Sequence, residues 1–185
     1  MADPSVAVEA MFEQALALHR EGQLAQAEAL YQKVRQLQPA HLDALQLLGA
    51  LAFQTGRYDL AAELLRQAVN MAPEAANLHC NLGLALQQLE QFPAAIACYD
   101  SALALHPAFV EALNNKGNVL RALQRAEEAV ACFERALQMR PDFSAASFNL
   151  GSPLLELNRP EPALAHFTRC LNDTPDRFEA HLQSG

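Results

Sequence analysis

The stretch NLGLALQQLEQFPAAIACYDSALALHP, residues 81–107, carries Leu82-Gly83, then Ala95, then Tyr99, and ends at Pro107. Each of these positions recurs along the chain with one step. Prolines fall at Pro39, Pro73, Pro107, Pro141 and Pro175, 34 residues apart. With proline at roughly 5% of positions, five such hits have a chance probability on the order of 10⁻⁷. Ala27, Ala61, Ala95, Ala129 and Ala163 share a second column, and Ala15, Gly49, Gly83, Gly117 and Gly151 a uniformly small third. Tyr31, Leu65, Tyr99, Phe133 and Phe167 form a large, apolar fourth. The chain is an internal repeat.

Each unit divides into two helical halves. In the fourth, Leu113, Gly117 and Leu120 recur at helical spacing, and after a short break so do Ala129, Phe133, Ala136 and Leu137. Small residues let two helix backbones approach, and the aromatic column fills the space beside them. Gly22 and Gly56 stand at the break, where a left-handed residue ends the first helix. Asn158 tolerates that conformation; Glu90 and Gln124 fit it less well. The recurring proline stops the second helix and turns the chain into the next pair.

This pattern of Leu-Gly, Ala, aromatic and Pro resembles the tetratricopeptide repeat (TPR) family. The resemblance covers residues 8–177 and implies an all-α, right-handed α-α superhelical solenoid of helix hairpins, whose first helices line a concave groove. The expected organisation is an N-terminal cap at 1–7 and repeats at 8–41, 42–75, 76–109, 110–143 and 144–177, with 178–185 beginning an incomplete sixth. Asp3-Pro4 reads as an N-cap followed by proline at the first helical position. Ser184-Gly185 stands where Leu150-Gly151 stood one period earlier. A solenoid needs a polar cap over its last core face, so the chain is expected to be the front portion of a longer protein. Gln14 and Lys116 depart from the leucine column, and His79 and Ser147 replace larger apolar residues.

Composition narrows the function. The 185 residues are 51% hydrophobic and carry a net charge of −8 with Lys33 and Lys116 as the only lysines. That balance argues against nucleic-acid phosphates and anionic membranes as partners. Four cysteines without a CxxC pair, and no basic leader, point to a reducing, cytoplasmic setting. No run approaches the roughly 18 apolar residues of a membrane span.

The stretch EALNNKGNVL, residues 111–120, places Asn114, Asn115 and Asn118 inside a helix, where asparagine is a mediocre former. With Glu111 and Arg121 they share a stripe turned away from Leu113, Gly117 and Leu120. One period either side, Asn115 is matched by Asn81 and Asn149, and Asn77 extends the row. Packed helices stand roughly 8–10 Å apart and a strand rises about 3.3 Å per residue, so successive amides reach an extended peptide at about every third residue. A carboxamide pairs with a peptide N–H and C=O together. The first helices from 42 to 157 carry five charged residues in 56 positions, half the density of the whole chain. Phe53 and Leu84, with Leu47, Phe148 and Leu155, add apolar groups to this face.

The asparagine row is similar to that in protein O-linked N-acetylglucosamine (O-GlcNAc) transferases, on Asn81, Asn115 and Asn149 alone. TPR members that bind chaperone C-termini instead grip carboxylates with lysines and arginines, and Lys33 and Lys116 lie outside those positions. The chain contains no H-E-x-x-H pair, G-x-S-x-G, P-loop or dinucleotide fingerprint. It is therefore expected to be a non-catalytic protein-interaction scaffold without metal or cofactor, binding an extended segment through Asn77, Asn81, Asn114, Asn115, Asn118, Asn149, Phe53 and Leu84. The alternative is a substrate-recognition region of a larger O-GlcNAc-transferase-like glycosyltransferase. Self-association through an uncapped C-terminal face is a third expectation. Cys98 and Cys132 read as small apolar side chains, and His79 and His181 as packing residues. Interior Pro153 predicts a kink or early break in the fifth unit's first helix, displacing Asn149 from the row.

Overall fold

The computed structural model describes residues 4–173; Asp3, Pro175, His181 and the segment 178–185, with the expectations attached to them, lie outside the described residues. Among the described residues the chain is all helix: α1 (Pro4–Arg20), α2 (Leu24–Leu37), α3 (Leu42–Gln54), α4 (Tyr58–Met71), α5 (Ala76–Gln88), α6 (Phe92–Leu105), α7 (Val110–Ala122), α8 (Ala126–Met139), α9 (Ser144–Glu156) and α10 (Pro160–Asp173). Odd-numbered helices are the first of each hairpin and even-numbered ones the second. Residues 4–7 are the opening turn of α1.

The helices gather into two compact units, Met1–Ser101 and Ala102–Gly185, divided within α6. In the first, α1 through α5 pack each against its successor, and the first helices α3 and α5 also touch. In the second, α7 packs on α8, α8 on α9 and α9 on α10, and α7 touches α9 directly. Local chemistry dictates the hairpins. Every first helix ends on a left-handed residue: Gly22 at φ 77°, Gly56 at 74°, Glu90 at 57°, Gln124 at 59° and Asn158 at 57°. At the fourth, Arg125 N–H donates to the Leu120 carbonyl and Gln124 N–H to that of Arg121, both at 2.9 Å, closing a Schellman motif. The motif thus tolerates Glu90 and Gln124 where the sequence favours glycine.

The second helices stop before proline. Their last residues, such as Ala72 (φ −137°) and Arg140 (φ −135°), are drawn out as the residue before proline must be. In the second unit an arginine seals each stop: Arg135 Nη2 donates to the Pro107 carbonyl at 3.0 Å and Arg169 Nη2 to that of Pro141 at 2.7 Å.

The small and aromatic columns meet as their spacing requires. Tyr31, Tyr99 and Phe133 are fully buried beside fully buried Ala27, Ala95 and Ala129. A Cβ on Gly117 would lie 2.6 Å from Phe133 Cε1, and one on Gly83 equally close to Tyr99 Cε1. Both are below contact distance, so glycine lets the ring approach the partner backbone closely. Ser147 is buried, and its lost apolar bulk is replaced by a 3.0 Å hydrogen bond to His166 Nδ1, tying α9 to α10.

The expected break at Pro153 does not occur. Helix α9 runs unbroken through buried Pro153 to Glu156, 13 residues long, the same length as α3, α5 and α7. The proline forfeits one backbone bond near the helix end, while Leu150 and Leu154 beside it are buried and hold the backbone in place. Packing outweighs the local penalty of about 3 kcal/mol.

Candidate peptide-binding face

The first-helix faces are poor in charge because their polar positions are amides. On α5, Asn77 is exposed, and Asn81 and Leu84 are half-buried. On α3, Phe53 is half-buried, its ring set edge-on to Tyr58 with centroids 5.3 Å apart. On α7, Asn115 and Asn118 are half-buried. On α9, Asn149 and Ser152 are half-buried between Phe148 and Leu155, which are 54% and 51% exposed.

Asn114 departs from the sequence expectation. It is 8% exposed, and its carboxamide is used inside the molecule. Asn149 Nδ2 donates to Asn114 Oδ1 at 2.9 Å, and Asn114 Nδ2 donates to Asn115 Oδ1 at 3.3 Å. A buried amide left without partners would cost about 1–3 kcal/mol, so Asn114 turns into the α7–α9 contact rather than toward solvent. Its two bonds tie it to Asn149 and Asn115. Asn149 is not displaced by Pro153; it is pinned to α7. Because a carboxamide has two donor hydrogens and two acceptor lone pairs, one bond leaves Asn149 with capacity for a ligand.

A second set of groups on this side escaped sequence reading. Tyr99 OH donates to Gln87 Oε1 at 2.9 Å, and Tyr31 OH lies 3.4 Å from His19 Nδ1, while His19 Nε2 lies 3.3 Å from Gln54 Oε1. Burial pushes the Tyr99 phenol well above its usual range, and Tyr31 upward as well. In each case the acceptor stands twelve residues before the aromatic column. Where that column lacks a hydroxyl, at Leu65, Phe133 and Phe167, the same position is Phe53, Arg121 or Leu155. The core therefore decides which residues at this edge are occupied internally, and the signal is a 12-residue pairing visible in the sequence.

The second helices differ. Arg57 spans Glu28 with two 2.8 Å bonds, and its guanidinium holds the Glu28 carboxyl below the usual carboxylate range. Arg125 pairs with Glu128 at 2.6 and 2.7 Å on the exposed surface of α8. Cys80, Cys98 and Cys132 are thiols, with Cys80 buried and burial raising the Cys98 pKa. Among the described residues no group of three or more His, Cys, Asp or Glu gathers as a metal site, and no helix is long and apolar enough to cross a membrane.

Tetratricopeptide-repeat profiles match residues 18–79 and, as two consecutive repeats, 76–109 and 110–143. The chain belongs to the tetratricopeptide-repeat family. Among TPR relatives, tetratricopeptide repeat protein 7B of Homo sapiens is 33% identical over 84 residues, 45% of this chain. The chain spans about a tenth of the length of that relative. Solved TPR folds superpose closely. MamA aligns at TM-score 0.81 and 21% identity, covering 93% of this chain and 94% of its own. A MamA fragment from Desulfovibrio magneticus RS-1 aligns at TM-score 0.83 and 17% identity, covering 93% and 96%. YrrB, described as a TPR protein with an unusual peptide-binding site, aligns at TM-score 0.75 and 22% identity, covering 100% and 99%. The chain is thus an all-α TPR solenoid, in a family of protein-interaction scaffolds.

Proposed function

We propose that this TPR chain is a non-catalytic scaffold that binds extended polypeptide on the first-helix faces of each unit, with Asn81 in the first and Asn115 and Asn118 in the second as the principal contacts. Asn149 and Asn77 contribute further amides, Phe53 and Leu84 apolar contacts, and Asn114 orients the amides beside it. The observation that carries this reading is the composition of the face. Half-buried carboxamides lie beside Phe148 and Leu155, both more than half exposed, while the ion pairs Glu28–Arg57 and Arg125–Glu128 sit elsewhere and the acid of α7, Glu111, is paired with Arg140. Amides read peptide backbone, and apolar groups accept side chains. The peptide-binding site ascribed to YrrB lends the reading support by analogy of fold. The setting we propose is the reducing cytoplasm, on the sequence pattern of four cysteines without a CxxC pair.

The test is a pull-down with the full chain as bait, followed by titration of the captured partner against Asn81→Ala and Asn115→Ala. Helicity stays unchanged, and each substitution weakens binding by about 0.5–1.5 kcal/mol. Undiminished affinity in both variants refutes the groove. The shared column of Asn81, Asn115 and Asn149 favours a second reading, in which the repeats present substrates to an O-GlcNAc-transferase-like catalytic domain. A nucleotide-sugar-binding domain encoded in the same reading frame would select it.

A further inference from the structure

On the first helices of the second unit, α7 and α9, Arg121 is the one arginine, and its situation differs from that of the arginines around it. Arg125 is paired with Glu128, Arg135 and Arg169 are bound to proline carbonyls, and Arg140 is paired with Glu111 at 2.8 Å. Arg121, on the last turn of α7, is exposed and has no ion pair or hydrogen bond among the described residues. The reason lies in the core. In the third repeat the residue at this position, Gln87, is held by the Tyr99 hydroxyl at 2.9 Å. In the fourth repeat the ring is Phe133, fully buried and without a hydroxyl, so nothing beneath engages Arg121.

The surroundings of Arg121 follow from helix geometry. It stands two turns, roughly 10.5 Å, along α7 from Asn114. Leu155 stands equally far along α9 from Phe148, and the 2.9 Å Asn149–Asn114 bond joins the two helices. Asn114, Asn118 and Arg121 therefore form one stripe, and Phe148, Ser152 and Leu155 form the matching stripe on the adjacent helix. The nearby acid Glu111 is neutralised by Arg140, Lys116 adds positive charge to α7, and Glu156, beside Leu155, is the one acid on α9.

Resting on the groove reading above, we propose that the α7–α9 face selects segments in which a carboxylate side chain stands beside an apolar one. The carboxylate meets Arg121, the apolar group beside it covers the exposed Leu155 side chain, and the exposed Phe148 ring, roughly 10.5 Å away along α9, takes a separate apolar group of the segment. A guanidinium offers a planar donor fork matched to a carboxylate, and both apolar side chains gain by leaving water. A single exposed cation, opposed in part by Glu156, gives a modest preference of about threefold to fivefold. It tunes the choice of partner, whereas the amides supply sequence-independent affinity.

The test uses the full chain and end-capped, fluorescein-labelled peptides of about ten residues, long enough to span roughly 33 Å when extended. One series carries Glu beside Leu; the other carries Gln in place of Glu. The Glu peptides are expected to bind about threefold to fivefold tighter, and the difference narrows at high salt. Arg121→Gln abolishes the difference without changing affinity for the Gln series, and Arg121→Lys retains most of it. Equal binding of both series to the wild-type chain overturns this selection and leaves the groove reading standing. Failure of either series to bind more tightly than about 1 mM counts against both.

Discussion

Asn149 and Asn114, 35 residues apart in sequence, meet through a 2.9 Å hydrogen bond that joins α9 to α7. The bond occurs where the two first helices of the second unit touch, and Asn114 passes it on to Asn115. The amides proposed to meet a polypeptide thereby also link neighbouring first helices.

Breaking that bond is expected to cost stability. Asn114→Ala and Asn149→Ala should each lower the unfolding free energy by about 0.5–1.5 kcal/mol. The double variant should lose less than the sum, with a coupling of about 0.5 kcal/mol or more. Denaturant unfolding of the four proteins measures it. Strict additivity would show that the amides act independently.

Relief of backbone strain should stabilise the chain. Glu90 and Gln124 occupy left-handed conformations that cost a non-glycine residue roughly 1–2 kcal/mol, while glycine's greater unfolded entropy returns about 0.5–1 kcal/mol. Gln124→Gly should therefore gain a few tenths to about 1 kcal/mol, read as a higher midpoint in urea. Gly56→Ala should lose stability through φ alone, because open space surrounds the new methyl.

Contact between the small and aromatic columns predicts a cost at the glycine. Gly117→Ala places a methyl 2.6 Å from Phe133 Cε1 and should destabilise by about 1–3 kcal/mol. Adding Phe133→Leu should not rescue it, because in the second repeat a Cβ on Gly49 would still lie 2.8 Å from Leu65 Cγ. A thermal-melt comparison of the two variants decides it.

Two groups should make stability fall in two successive steps as pH drops. Burial, reinforced by Arg169, lowers the His166 pKa below its usual value near 6.5, so the unfolded chain binds the proton first. Stability should therefore fall as pH drops through and below the ordinary histidine range, and His166→Gln should flatten that part of the profile. Glu28 is also lowered, but as an acid paired with Arg57. Its contribution is present above the ordinary carboxylate range and disappears at lower pH, as the folded-state carboxyl takes up its proton. Glu28→Gln should remove that second, more acidic step without altering the first.

The repeat, its hairpins and its columns were legible because they depend on spacings within one period. Gly117 beneath Phe133 follows from the 16-residue separation that every unit shares. The Asn149–Asn114 bond was not legible in the same way. It joins different columns of successive repeats, and a register one residue either side would look equally plausible from spacing. Glu90 and Gln124 concealed their left-handed backbone because side-chain type ranks that conformation without forbidding it. Pro153 misled in the other direction: a local penalty is certain, but the packing of Leu150 and Leu154 that outweighs it is a property of the assembled core.

Where a polypeptide lies on the repeats can be read from the side-chain amide resonances of the asparagines, followed in a ¹H–¹⁵N spectrum as the natural partner is added. Shifts are expected at Asn81, Asn115 and Asn118, with Asn70 on the second helix α4 unmoved. Shifts at Asn70 with the first-helix amides unchanged would overturn the groove.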